Sequence, residues 1–151
     1  MRASSGSRAS ARRESRIPFV TDPPRVRESD LRVELTKTFR FEAAHRLPRV
    51  PADHKCQRMH GHSFAVDVTV EGEVDGHMGW LVDYAEIARV VEPIVMGELD
   101  HRALNDVPGL DNPTSERLCE WLWNRLAAEL PLLAAITIHE TCTARCTYRG
   151  R

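Results

Sequence analysis

The 151-residue chain has no run near the roughly 18 consecutive apolar residues that a membrane span needs, so membrane insertion through a helix is not expected. It also lacks a surplus of charge. Twenty-one Lys and Arg stand against 22 Asp and Glu, a formal net charge of −1, which leaves no basic field for nucleic acid. Cysteine is scarce: Cys56, Cys119, Cys142 and Cys146 contain no Cys-x-x-Cys pair, which argues against a closed four-thiolate zinc site and against iron–sulfur binding. With no secretory signal legible, the thiols are expected to be reduced and the protein cytoplasmic. No internal repeat or second hydrophobic core is visible, so these absences leave one domain acting on a small-molecule partner.

Residues 1–30 are rich in Arg, Ser and Pro and short of periodic apolar positions, and are expected to form a disordered tail ahead of a folded domain at 31–151. Transit peptides share the Arg and Ser bias but avoid acids, which this segment supplies at Glu14, Asp22, Glu28 and Asp30.

Beyond the tail, the periodicity is informative. From Arg32 to His45, Val33, Leu35, Phe39, Phe41 and Ala43 alternate with polar residues, predicting a half-buried strand whose apolar phase includes His45. A second alternation, Phe64, Val66, Val68 and Val70, carries His60 and His62 on its own apolar phase. Three imidazoles on the inward phase of two neighbouring strands point to a metal more than to three separate core histidines. Such a set leaves a fourth position open, the arrangement of a catalytic rather than a structural zinc site.

Asp83 is expected to cap a helix bearing Ile87, Val90, Val91 and Ile94, which Pro93 should kink or end early. Asn112 or Thr114 is expected to cap a second helix with Leu118, Trp121, Leu122, Leu126 and Leu130 buried and Pro131 as its stop. A strand through Ile136, Ile138 and Glu140 and a last one from Cys146 to Arg149 complete the order strand, strand, helix, helix, strand, strand. That order predicts an α+β domain, a four-stranded antiparallel sheet with two helices on one face.

Glu140 shares a phase with Ile136 and Ile138, where an unpaired carboxylate is costly. It needs either an arginine or a ligand with paired N–H donors. Cys56, four residues before His60, has two open roles: a thiolate base or nucleophile favoured by a nearby cation, or the fourth zinc ligand. Asp100-His101 supplies a carboxylate and an imidazole suited to proton transfer near neutral pH, although a solvated helix-end histidine is the ordinary reading of such a dipeptide.

The segments FEAAH, CxxxHGHSF, LDHxxLND, NPTSE and ETCT resemble, in order and approximate spacing, the 6-pyruvoyl-tetrahydropterin synthase superfamily, and most closely its 6-carboxytetrahydropterin synthase branch. The resemblance covers Leu35 to Gly150. It implies a tunnelling fold (T-fold) whose sheets assemble into an oligomeric barrel, with active sites at subunit interfaces. It also implies Zn2+ on His45, His60 and His62, Cys56, Asp100 and His101 in proton transfer, Glu140 as anchor of a pterin ring, and Thr114 or Ser115 as further pterin contacts.

The implied reaction converts 7,8-dihydroneopterin triphosphate to 6-carboxy-5,6,7,8-tetrahydropterin, acetaldehyde and triphosphate, an early step toward queuosine. One rival is the pyruvoyl-forming branch, which eliminates triphosphate and keeps the side chain. The other, of a different class, is a non-catalytic zinc-stabilised ligand-binding barrel. Because residues 1–30 have nothing periodic to bury, their removal is expected to leave folding and turnover unchanged. Size-exclusion chromatography and an activity assay of the truncated chain check this, and loss of soluble protein would contradict it.

Overall fold

The computed structural model describes residues 31–151; the expected tail lies outside the described residues. Strand β1 (Arg32–His45) and strand β2 (His60–Glu73) pair antiparallel along their whole lengths, with Phe41 opposite Phe64 and Ala43 opposite His62. Their alternation is the cause of this register, because a slip of one residue would turn every apolar side chain to the other face. Strand β3 (Arg102–Ala103), strand β4 (Leu133–His139) and strand β5 (Arg145–Tyr148) complete a sheet of order β3-β1-β2-β4-β5.

The sheet therefore has five strands rather than the expected four. β3 is two residues long and runs parallel to β1 at Ala43 and Ala44, too short a segment for any period-two pattern to reveal. The other pairings, β1–β2, β2–β4 and β4–β5, are antiparallel as expected.

Two α-helices cover one face. α1 (Tyr84–Ile94) begins at Asp83, whose carboxylate accepts a hydrogen bond from the Ala85 N–H at 2.8 Å. The expected effect of Pro93 takes a particular form. The α-helix ends one residue after it, and the chain continues as a π-helical turn over Val95–Leu99, closed by the Asp100 N–H on the Val95 carbonyl at 2.9 Å. Proline removes one N–H from the ladder near the helix end, and the wider turn keeps Ile87, Val91, Val95 and Leu99 in one fully buried row.

α2 (Ser115–Leu126) is capped by Thr114, whose hydroxyl accepts from the Arg117 N–H at 3.3 Å, so Thr114 rather than Asn112 is the cap. The helix stops at Leu126, five residues before Pro131. Proline disfavours helical geometry at the residue before it, and Leu130 is buried from the following turn instead. Trp121 is only partly buried, its indole N–H donating to the Pro108 carbonyl at 2.9 Å.

The core lies between this helical layer and the inward face of the sheet, where Phe41 and Phe64 stack with centroids 5.1 Å apart. Cys119 is part of that core; burial pushes its thiol up to about 12, so it is a structural thiol and not a reactive one. The opposite face of the sheet carries Arg40, Glu42, Asp67 and His139 and has no helix of the described residues over it. No helix among the described residues is long and apolar enough to cross a membrane.

Candidate metal centre and ring-binding site

Antiparallel pairing brings the end of β1 against the start of β2, so His45 faces His60 across the ladder and His62 lies one inward position along. Imidazoles from two strands, joined by a loop in the sequence between His45 and His60, thus meet at one sheet end. Ring centroids are 4.6 Å apart for His45 and His60, 5.2 Å for His45 and His62, and 5.0 Å for His60 and His62. One ligand atom from each can be chosen so that all lie within 4.8 Å of one another.

Backbone carbonyls orient two of the three rings. His45 Nδ1 donates to the Pro113 carbonyl and His60 Nδ1 to the Arg58 carbonyl, each at 2.8 Å. A carbonyl only accepts, so the proton sits on Nδ1 and the Nε2 lone pair is left for a metal. His45 is fully buried, and that burial lowers its pKa below the ordinary 6.5, favouring the neutral, ligating form. Nε2 of His45 and Nε2 of His62 are buried without a hydrogen-bond partner among the described residues. Such unpartnered polar atoms are costly in a finished core, and a divalent metal would satisfy them. The residues therefore fit a metal of the kind the sequence suggests, since three imidazole nitrogens form a donor set that zinc and other transition metals accept.

Glu140 follows directly after β4. Its Oε2 accepts a hydrogen bond from Ser115 Oγ at 2.5 Å, and its Oε1 lies 3.5 Å from His62 Nε2 without forming a hydrogen bond. Among the described residues no arginine pairs with it. Ser115, in the first turn of α2, thus holds the carboxylate beside the histidines, while Thr114 is occupied as the helix cap.

The remaining residues singled out from the sequence lie outside this cluster. Cys56 is half-buried in a short 3₁₀ turn, Lys55–Gln57, and its thiol does not join the three imidazoles within metal-binding reach. Its loop is held by the Leu47 N–H on the Cys56 carbonyl at 2.7 Å and by Asn105, which exchanges hydrogen bonds with both backbone groups of Arg46 at 2.9 Å.

Asp100 and His101 form a pair, Nδ1 to Oδ2 at 2.7 Å, on the edge of β1. The Glu42 N–H donates to Asp100 and the His101 N–H donates to the Glu42 carbonyl. The first of these bonds, followed by the one from His101, holds the Asp100 carboxyl below the usual carboxylate range. His101 adopts φ 55°, its side chain is 78% exposed, and it is not gathered into its own chain's histidine cluster.

Reading residues one at a time overlooks the Pro113 carbonyl, the Asn105 clamp and His139. A backbone carbonyl leaves no mark in sequence; Asn105 stands beside the Asp-His motif in LDHxxLND, which is the one signal that could have drawn attention to it. His139 alone is an unremarkable polar residue of a strand.

Comparison with known proteins gives concordant results. The model of the 6-pyruvoyl tetrahydropterin synthase family matches residues 34–151. A 6-carboxy-5,6,7,8-tetrahydropterin synthase of Synechocystis is 38% identical over 117 residues, 74% of this chain and 89% of that protein. A 6-pyruvoyl tetrahydrobiopterin synthase of Drosophila melanogaster is 32% identical over 132 residues, 77% of this chain and 79% of that protein. The solved structure of Caenorhabditis elegans 6-pyruvoyl tetrahydropterin synthase superposes with a TM-score of 0.73 at 28% identity, covering 80% of this chain and 97% of that one.

His60→Ala and His62→Ala are each expected to lower bound metal well below one ion per chain and to lower activity with it, because two imidazoles leave the ion under-coordinated. Metal analysis of the purified variants checks this. Full occupancy in both would remove the site as drawn.

Proposed function

The chain belongs to the 6-pyruvoyl tetrahydropterin synthase family, and on that premise we propose that it is a zinc-dependent 6-carboxy-5,6,7,8-tetrahydropterin synthase. Its substrate is 7,8-dihydroneopterin triphosphate, its products are 6-carboxytetrahydropterin, acetaldehyde and triphosphate, and its place is early in queuosine biosynthesis. The observation that carries this reading is the position of Glu140, one oxygen held by Ser115 and the other 3.5 Å from His62. A carboxylate there can accept the adjacent N–H and NH₂ donors of a pterin edge, which sets the ring's side chain against the three histidines. The similarity to relatives named 6-carboxy-5,6,7,8-tetrahydropterin synthase supports the choice of branch.

His45, His60 and His62 would hold zinc, which supplies Lewis acidity toward the oxygens of the substrate side chain. The chain's own groups do the rest. Glu140 binds and orients the ring, and Ser115 keeps that carboxylate in place. Cys56, outside the histidine cluster, acts as the base that takes the hydrogen from the carbon next to the ring. Asp100 orients His101, which returns protons. Because His101 faces outward from its own chain, it serves the site of a neighbouring copy in a homo-oligomer whose active sites lie between subunits.

Incubation of the purified zinc protein with dihydroneopterin triphosphate, followed by mass analysis of the pterin, tests the reading: a 6-carboxy product is expected. A pyruvoyl product would move the chain to the other branch, and no product at all would favour a binding protein. Glu140→Gln is expected to weaken substrate binding by about 2–5 kcal/mol with zinc retained, since the amide offers one acceptor and no charge. Cys56→Ala is expected to keep its zinc and turn over at least ~100-fold more slowly, the usual contribution of a placed proton acceptor. Activity restored to Cys56→Ala by added zinc would instead identify the thiol as a ligand.

A further inference from the structure

The helix-free face of the sheet carries a cross-strand row that the reaction above does not use. Arg40 of β1 is opposite Ala65 of β2, Ala65 is opposite His139 of β4, and His139 is opposite Arg145 of β5. Directly opposed residues project to the same side of a sheet, so two guanidiniums and an imidazole stand in line over a methyl-sized floor. With strands about 4.8 Å apart, the row spans roughly 14 Å.

The next row along orders the imidazole. His139 Nε2 lies 2.7 Å from Asp67 Oδ2, and the other oxygen of Asp67 accepts from Thr38 Oγ1 at 2.6 Å. Burial pushes the Asp67 carboxyl up, but the bonds from Thr38 and His139 and the nearby Arg145 outweigh it and hold the group ionised below the usual range. An ionised carboxylate only accepts, so His139 Nε2 carries the proton of this bond and the ring is held in one orientation.

The carboxylates around this row are engaged: Asp67 as described, Glu42 by Ser63 Oγ at 2.8 Å, and Glu140 by Ser115. Neither Arg40 nor Arg145 forms an ion pair among the described residues. Arg40, Asp67 and His139 line a cavity of about 760 Å³ whose wall also includes Gly61, His62 and Glu140. Cationic groups without partners, beside acids already satisfied, make this end of the cavity fit a polyanion.

We propose that the row Arg40, His139 and Arg145 binds the triphosphate arm of the substrate, an assignment that rests on the substrate reading above. The row holds the phosphate chain by charge-assisted hydrogen bonds while Glu140 holds the ring, so the two ends of the molecule are fixed on either side of the histidines.

The test uses the full-length zinc-loaded protein and sodium tripolyphosphate in isothermal titration at low salt, beside steady-state kinetics. Arg40→Gln and His139→Gln are each expected to weaken tripolyphosphate binding ~10–100-fold, to raise KM more than they lower kcat, and to leave zinc content unchanged. Arg40→Lys is expected to recover part of the loss. Arg89→Gln, which removes an equal charge from the surface of α1, is the control and is expected to bind as the native chain does. Tripolyphosphate binding and KM unchanged in both row variants, with normal turnover in the native protein, would overturn the row and leave the enzyme reading intact. Tripolyphosphate binding that depends on Arg40 in a native protein without turnover would keep the polyanion row and overturn the substrate reading.

Discussion

The register of β1 against β2 is the constraint on which the rest of the molecule depends. One pairing sets Phe41 on Phe64 in the core and His45 against His60 at the sheet end. A shift by one residue would carry the phenylalanines and the imidazoles to the wrong face together. Core and histidine cluster are thus specified by the same ladder, and the free energy of burying the apolar phase also holds the imidazoles in place. This explains how three histidines, one of them fully buried, are tolerated beside aromatic packing: their inward position is fixed by the alternation of their neighbours.

Around that ladder, each polar group at the site is oriented by a group the helices and loops deliver. Pro113 precedes α2 and turns His45; Ser115 opens α2 and holds Glu140; Arg58 ends the 3₁₀ turn and orients His60. The start of α2 therefore contacts both the histidine cluster and Glu140, so the packing of one helix positions both. Where no partner is supplied among the described residues, at Nε2 of His45 and His62, the three histidines could hold a metal ion.

The two faces of the sheet divide the work. The helix-covered side provides the core, the histidines and Glu140, while the open side presents charge: Glu42 clamped by Ser63, Asp67 between Thr38 and His139, and Arg40 without a carboxylate among the described residues. An antiparallel sheet can leave one face polar in this way because its strands alternate with period two. Between the faces, Gly61 separates His60 from His62 and puts no side chain on the open side.

Much of this was determined by the sequence alone. Period-two alternation placed β1 and β2 and put His45, His60 and His62 inward; four-residue spacing placed both helices; the apolar phase of β4 set Glu140 apart as a carboxylate that needs a partner. These are local consequences of strand and helix geometry, and short-range pattern carries them. Tertiary structure decided what pattern does not encode. β3 exists because the chain after the π-helical turn is bonded to Glu42, not because two residues show a period. Cys56 is outside the imidazole cluster because a loop closed through Asn105 sets its position. The row Arg40, Ala65, His139 and Arg145 joins four strands far apart in sequence, and its members become neighbours only when the registers of three separate strand pairs act together.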